Sequence, residues 1–341
     1  MARASKLYPA IGAMLAGVAS AVPASAQQAP RSTVPIREVV IAGAGSVRYA
    51  IEVVVNGVPI LTGFDTGSTG LRLLPRAAAR AQVVQSDVDE TYSYGSGVEL
   101  DGKRALVGLS IGAARGRVIV QAVNNVGCVA KQPDCPASHL APSAYGLMGS
   151  GQPGQGFTAI IGTRLEIGRI ANPFPGLGVH RWIVHLPQRG RGTGTLVLNP
   201  DARDTAGFIP LTASGRGTVR GCLALALSGA RSLCGPTLLD TGAPGLSVLG
   251  AERPPAWRPD RRARIGFAPT QPRPAPAIGF VTGDRDHGAT ANFKPQAGNQ
   301  VVIHAGTLPF YAYDVLFDAD ANTIALRPNP DAGPATVPLA Q

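Results

Sequence analysis

A chain of 341 residues, 45% hydrophobic and only 15% charged, is long enough for one large domain or two lobes with separate cores. It is too apolar for a disordered chain, and its 43 glycines and 30 prolines follow no three-residue period, which excludes collagen. The net charge of +10 is carried by arginines spread along the sequence, so a soluble basic surface explains it better than nucleic-acid binding.

Residues 1–26 read as a secretory signal. Arg3 and Lys6 form a basic start, Leu7 to Val22 is mostly apolar, and Ala24-Ser25-Ala26 is a small-x-small cleavage site. Pro9 and Pro23 bound the apolar run short of the ~20 residues of a spanning helix, so no membrane segment is expected after cleavage. The expected location is secreted or periplasmic. After a short polar tail, Tyr49–Val55 and Val58–Phe64 read as strands joined by Asn56-Gly57, a type I′ turn signal. Further strands are expected at Ala105–Ile111, Arg117–Val123, Trp182–Leu186, Gly194–Leu198, Cys222–Leu227, Thr237–Leu239, Val301–His304, Ala312–Phe317 and Thr323–Leu326. Short helices are expected at Pro75–Val84 and near Thr163. Arg253 to Pro276, rich in proline and arginine, reads as an exposed loop or partly ordered insertion. The fold class is mostly β.

Two motifs fail their context tests. Val39 to Gly45 resembles the opening of a dinucleotide fold, but Arg48 replaces the third glycine and a strand follows. Gly108-Leu109-Ser110-Ile111-Gly112 matches a serine-hydrolase elbow, but another strand follows where a helix is needed, so Ser110 reads as a turn residue. The five histidines lack metal-like spacing. Four cysteines in an exported chain point to two disulfides. Three pairings exist; the economical one is local, Cys128 with Cys135 and Cys222 with Cys234. Cys222 and Cys234 flank a turn centred near Ser228–Gly229, and zinc is disfavoured because no CxxC pair occurs.

The informative feature occurs twice. Gly63-Phe64-Asp65-Thr66-Gly67-Ser68 and Leu238-Leu239-Asp240-Thr241-Gly242-Ala243 each end an apolar segment in Asp-Thr-Gly, 175 residues apart, and each is followed by another apolar run. An apolar strand delivers a carboxylate from a rigid element. The glycine allows close backbone approach, and a buried threonine hydroxyl needs a partner across the junction. Two carboxylates brought together share a proton, giving one base and one acid. A single Asp-Thr-Gly is a common turn tripeptide; two in matching contexts are not explained that way.

With these residues the chain resembles the pepsin-like aspartic peptidases, whose proton-sharing dyad is established for that family and not deduced from this chain. Tyr92-Ser93-Tyr94-Gly95-Ser96-Gly97 resembles the family's flap tip, Phe157 to Gly162 the segment supporting the first loop, and Gly306 to Asp318 the C-terminal stretch. The resemblance covers roughly residues 45–328. It implies a bilobal fold of two β-barrel-like lobes with an active-site cleft between them. Residues 27–200 would form the N-terminal lobe, with the first triplet and the flap. Residues 201–341 would form the C-terminal lobe. It implies an endopeptidase, a hydrolase acting as a monomer on polypeptides without metal or cofactor. Asp65 and Asp240 would be catalytic, and Ser68 would bond the outer oxygen of Asp65. Thr66 and Thr241 would lock the loops beside Gly67 and Gly242. Tyr94, with Gly95, would cover the bound peptide.

The chain departs from the family pattern in several places. Ala243 stands where many pepsins have a hydroxyl, which predicts a working pH less acid than pepsin's. Arg72 lies near the usual flap-supporting tryptophan, Tyr94 follows Asp65 by only 29 residues, and His304-Ala305 precede Gly306 where two apolar residues are expected. The alternative function is a non-catalytic binding or inhibitor protein on the same scaffold. A basic nucleic-acid or envelope-surface binder rests on charge alone.

Overall fold

Alternating apolar residues build most of this molecule. In Ser46–Val55, residues Val47, Tyr49, Ile51, Val53 and Val55 are buried, so one face of the strand enters the core. Asn56 and Gly57 both have positive φ, 48° and 83°, and turn the chain so that Val58–Asp65 pairs antiparallel with it. The computed structural model describes residues 28–42, 46–296, 300–334 and 336–339. The signal segment 1–26 and the glycine-containing residues 43–45 lie outside the described residues. No helix among the described residues is long and apolar enough to cross a membrane.

The fold is mostly β, with two large sheets of thirteen and nine strands and three short helices among the described residues. The larger sheet holds strands from Ser32–Ile41 to Gly194–Leu198, together with the late strands Tyr313–Asp318 and Thr323–Pro328, which pair beside Arg181–His185. The smaller sheet holds strands between Ala213–Gly215 and Val302–His304, plus Val337–Leu339. One connected core reaches into both sheets. Trp182, fully buried, stacks on Phe317 at 5.5 Å between ring centres and meets Phe174 edge-on at 5.0 Å, tying the late strand to the earlier ones.

A local plan repeats in the two sheets. Val58–Asp65 runs parallel to Ala159–Thr163, and Thr69–Leu73 returns antiparallel on the other side of that strand. Leu233–Leu238 likewise runs parallel to Val302–His304, and Leu246–Leu249 returns antiparallel. Each set of three ends a strand at or just before an aspartate. The duplicated triplet in the sequence therefore marks a duplicated strand arrangement.

Most expected strands lie where the alternation placed them, within a few residues. Three expectations need correction. The region at Thr163 is a strand, Ala159–Thr163, rather than a helix; its five residues are all buried between two partners, and a short apolar run does not distinguish a buried strand from a helix. The expected helix Pro75–Val84 stops after Arg80, and Gln82 has a left-handed φ of 48°. Within the proline- and arginine-rich stretch, Arg262–Phe267 is a central strand paired on both sides. Its Ala263, Ile265 and Phe267 are buried while Arg262 and Arg264 face outward, so arginine-rich composition masked a period of two. Ser110 is the next-to-last residue of Val98–Ile111, in a hairpin that turns at Gly112 without a following helix, as its context implied.

Candidate active site

The strand Val58–Asp65 delivers Asp65 at its last residue, and Leu233–Leu238 stops two residues before Asp240. The loops that follow lock to each other symmetrically. Thr66 Oγ1 donates to the Leu239 carbonyl at 2.9 Å, and Thr241 Oγ1 donates to the Phe64 carbonyl at 2.8 Å. Each hydroxyl also accepts the other loop's amide: Thr241 N at 3.0 Å from Thr66 Oγ1, and Thr66 N at 3.1 Å from Thr241 Oγ1. Both threonines are buried, so each hydroxyl has its donor and acceptor capacity used across the junction.

The glycines let the carboxylates meet. A Cβ added at Gly67 would collide with the Asp240 carboxyl group; one added at Gly242 would stand 2.5 Å from Asp65 Oδ1 and 2.6 Å from its carboxyl carbon. Each acid therefore lies directly over the other loop's glycine, and only a residue without a side chain fits there. Asp65 accepts two hydrogen bonds, from Gly67 N at 2.7 Å and Ser68 Oγ at 2.5 Å. Asp240 accepts from Gly242 N at 2.8 Å, and the Ala243 amide also favours its ionised form; Ala243 offers no hydroxyl to match Ser68. Burial first, then the adjacent Asp65 charge and a hydrogen bond with Asp65, push Asp240 well above the ordinary carboxylate range. Burial and the neighbouring acid thus favour the protonated form of Asp240.

An open cavity of about 630 Å³ lies over the pair and is also lined by Tyr92, Tyr94 and Gly95. The hairpin of Gln85–Ser93 and Val98–Ile111 carries these residues, and its tip closes with Gly97 N donating to the Tyr94 carbonyl at 2.9 Å. Tyr94 packs against a small cluster containing Leu74, Val98 and Tyr145, and its hydroxyl is buried without a hydrogen-bond partner. Tyr92 lies nearer the acids: its hydroxyl is close to Ser68 and in the field of Asp65, and burial raises its pKa. Beneath both rings sits Arg72, 1% exposed, its guanidinium 3.4 Å from the centre of Tyr92 and 6.0 Å from that of Tyr94. Arg72 donates to the carbonyls of Thr69 and Gly70. A buried cation held by carbonyls and an aromatic face fixes the hairpin's tyrosines over the first loop.

Both expected disulfides form, Cys128–Cys135 and Cys222–Cys234, the second across the register pair Cys222↔Cys234. With the lack of a membrane-spanning helix among the described residues, they are compatible with a secreted or periplasmic protein. No group of three or more histidine, cysteine or acidic side chains among the described residues could hold a metal ion. His180, His185 and His287 bond aspartates away from the acids. Sequence reasoning did not assign Tyr92, Arg48, Arg164, Lys294 or His304 to this cavity, yet all five line it. Three carried a signal: Tyr92 opens the tip segment that holds Tyr94, Arg164 follows the strand beside the first loop, and His304 precedes Gly306. The chain matches no protein-family model and no curated protein.

Proposed function

We propose that this chain is an aspartic endopeptidase of two-lobed, pepsin-like architecture, exported from the cell, in which Asp65 and Asp240 activate a water against a peptide bond. The observation that carries this reading is the reciprocal packing of two carboxylates over each other's glycines, locked by crossed threonine hydrogen bonds. Asp65, supported by two donors, is the base that takes a proton from water. Asp240, which keeps its proton, gives it to the carbonyl oxygen as the water oxygen bonds to the carbonyl carbon. The resulting diol collapses when the proton on Asp65 passes to the amide nitrogen and the C–N bond breaks. A hydroxyl proton then returns to the dyad, leaving it singly protonated. An extended peptide would lie in the cavity beneath the Tyr94 hairpin.

A peptide-library digest by the wild type and Asp65→Asn, with and without a statine-type inhibitor, tests this reading. Expected are cleavage by the wild type, inhibition by statine, and loss of about 10⁴-fold in the variant. Cleavage that persists in Asp65→Asn contradicts the mechanism. No cleavage by the wild type at any pH favours a non-catalytic binding protein on the same scaffold.

A further inference from the structure

Apart from the dyad, every charged residue lining the cavity is a cation. Arg48, Arg164 and Lys294 all face it. They come from both walls: Arg48 from Ser46–Val55 and Arg164 from just after Ala159–Thr163 in the larger sheet, Lys294 from Ala291–Lys294 in the smaller one. Arg164 pairs with Glu166 at 2.7 Å, while its Nε is buried without a partner. Among the described residues, Arg48 and Lys294 have no carboxylate within ion-pairing distance. Arg48 donates instead to the Met148 carbonyl at 2.9 Å; burial lowers its pKa, against the opposing pull of Asp240 and Asp65. His304, between Arg164 and Lys294, is driven toward its neutral form by burial and by those two cations. With one proton on the dyad, the cleft holds more positive than negative charge, partly shielded from water where a charge is worth more.

We propose that the cleft selects polypeptide segments bearing aspartate or glutamate beside the bond held over the dyad, with Lys294 and Arg48 receiving those carboxylates. The substrate class named here rests on the peptidase reading. The general basic surface does not account for it, because the cations here converge from two sheets on one cavity and two of them lack acidic partners.

The test uses the Asp65→Asn protein, which holds peptides without turning them over, and three dye-labelled extended peptides differing only in carrying aspartates, serines or lysines. Fluorescence anisotropy is expected to give at least about tenfold tighter binding of the acidic peptide than of the lysine peptide, a gap that narrows with salt. Lys294→Glu is expected to remove most of that gap and Lys294→Gln part of it. Arg273→Glu, on an exposed loop, is expected to leave it unchanged. Equal binding of the three peptides overturns the proposal, as does a gap untouched by Lys294→Glu or reduced equally by Arg273→Glu. The same substitutions in the wild type keep the two readings apart. Acidic preference without any cleavage removes the peptidase reading and leaves the anion-selective cleft; cleavage without acidic preference does the reverse.

Discussion

The loop at Asp65 and the loop at Asp240 share a backbone plan and differ in what holds their carboxylates. Both follow a strand parallel to a central partner, and both place a threonine hydroxyl across the junction. At the first loop Ser68 adds a second donor, and Arg72 lies against Tyr92 and Tyr94. At the second loop Ala243 adds no hydroxyl, and the turn continues into Pro244. Two acids at one junction cannot both ionise cheaply. Asp65 receives a serine hydroxyl that Asp240 lacks, and burial together with Asp65 pushes Asp240 well above the ordinary carboxylate range.

The largest effect that would break this comparison comes from its symmetric part. Gly67→Ala and Gly242→Ala each drive a methyl group into the opposite carboxylate. Each is expected to abolish measurable peptide cleavage and to destabilise the fold by about 1–3 kcal/mol, read by denaturant unfolding beside a digest. Equal, mild effects would mean that the acids are not packed over the glycines.

Smaller changes should sharpen the asymmetry. Ser68→Ala removes a hydrogen bond to an anion, an interaction of about 1.5–3 kcal/mol, so kcat/KM should fall at least about tenfold. Ala243→Ser adds a donor to Asp240, favours its ionised form, and should move the alkaline limb of the pH–rate profile to lower pH. An alkaline limb that Ala243→Ser leaves in place would contradict the assignment of Asp240 as the acid.

The smallest effect contrasts two histidines outside the dyad. His185 bonds Asp314 at 2.7 Å and Asp331 at 3.1 Å, and the Asp314 bond, against burial, raises its pKa above the ordinary 6.5. Its stabilising charge is present in full below that ordinary value and is lost as pH rises through the raised one. His304 has the opposite sign, since its pKa is lowered by burial and by Arg164 and Lys294. His185→Gln is therefore expected to lower Tm more at acid than at alkaline pH, while His304→Gln is expected to relieve destabilisation at acid pH. Melting curves across pH separate the two.

The strands and the junction were legible in the sequence because both leave short-range marks. Alternation in residues 46–55 and Asn56-Gly57 specify a hairpin from side-chain size and backbone freedom alone. The twin Asp-Thr-Gly triplets contain both threonines of the lock, but not the carbonyls of Phe64 and Leu239 that accept their hydroxyls. What stayed hidden depends on long-range packing. The strand Arg262–Phe267 was masked by its outward arginines, and Ala159–Thr163 carries no period because both faces are buried. The cations of the cleft come from three separate places in the chain, and nothing local to Arg48 or Lys294 indicates that the fold brings them to one cavity.

The central claim, that burial and the neighbouring Asp65 together hold Asp240 above the ordinary carboxylate range, is tested most directly by following the Asp240 carboxyl carbon by NMR through a pH titration. The wild type and Asp65→Asn are compared. Titration above the ordinary carboxylate range in the wild type, moving down when the neighbouring charge is removed, is the result expected here. An Asp240 that titrates as an ordinary carboxylate, or that ignores the loss of the Asp65 charge, would contradict the shared proton and the mechanism built on it.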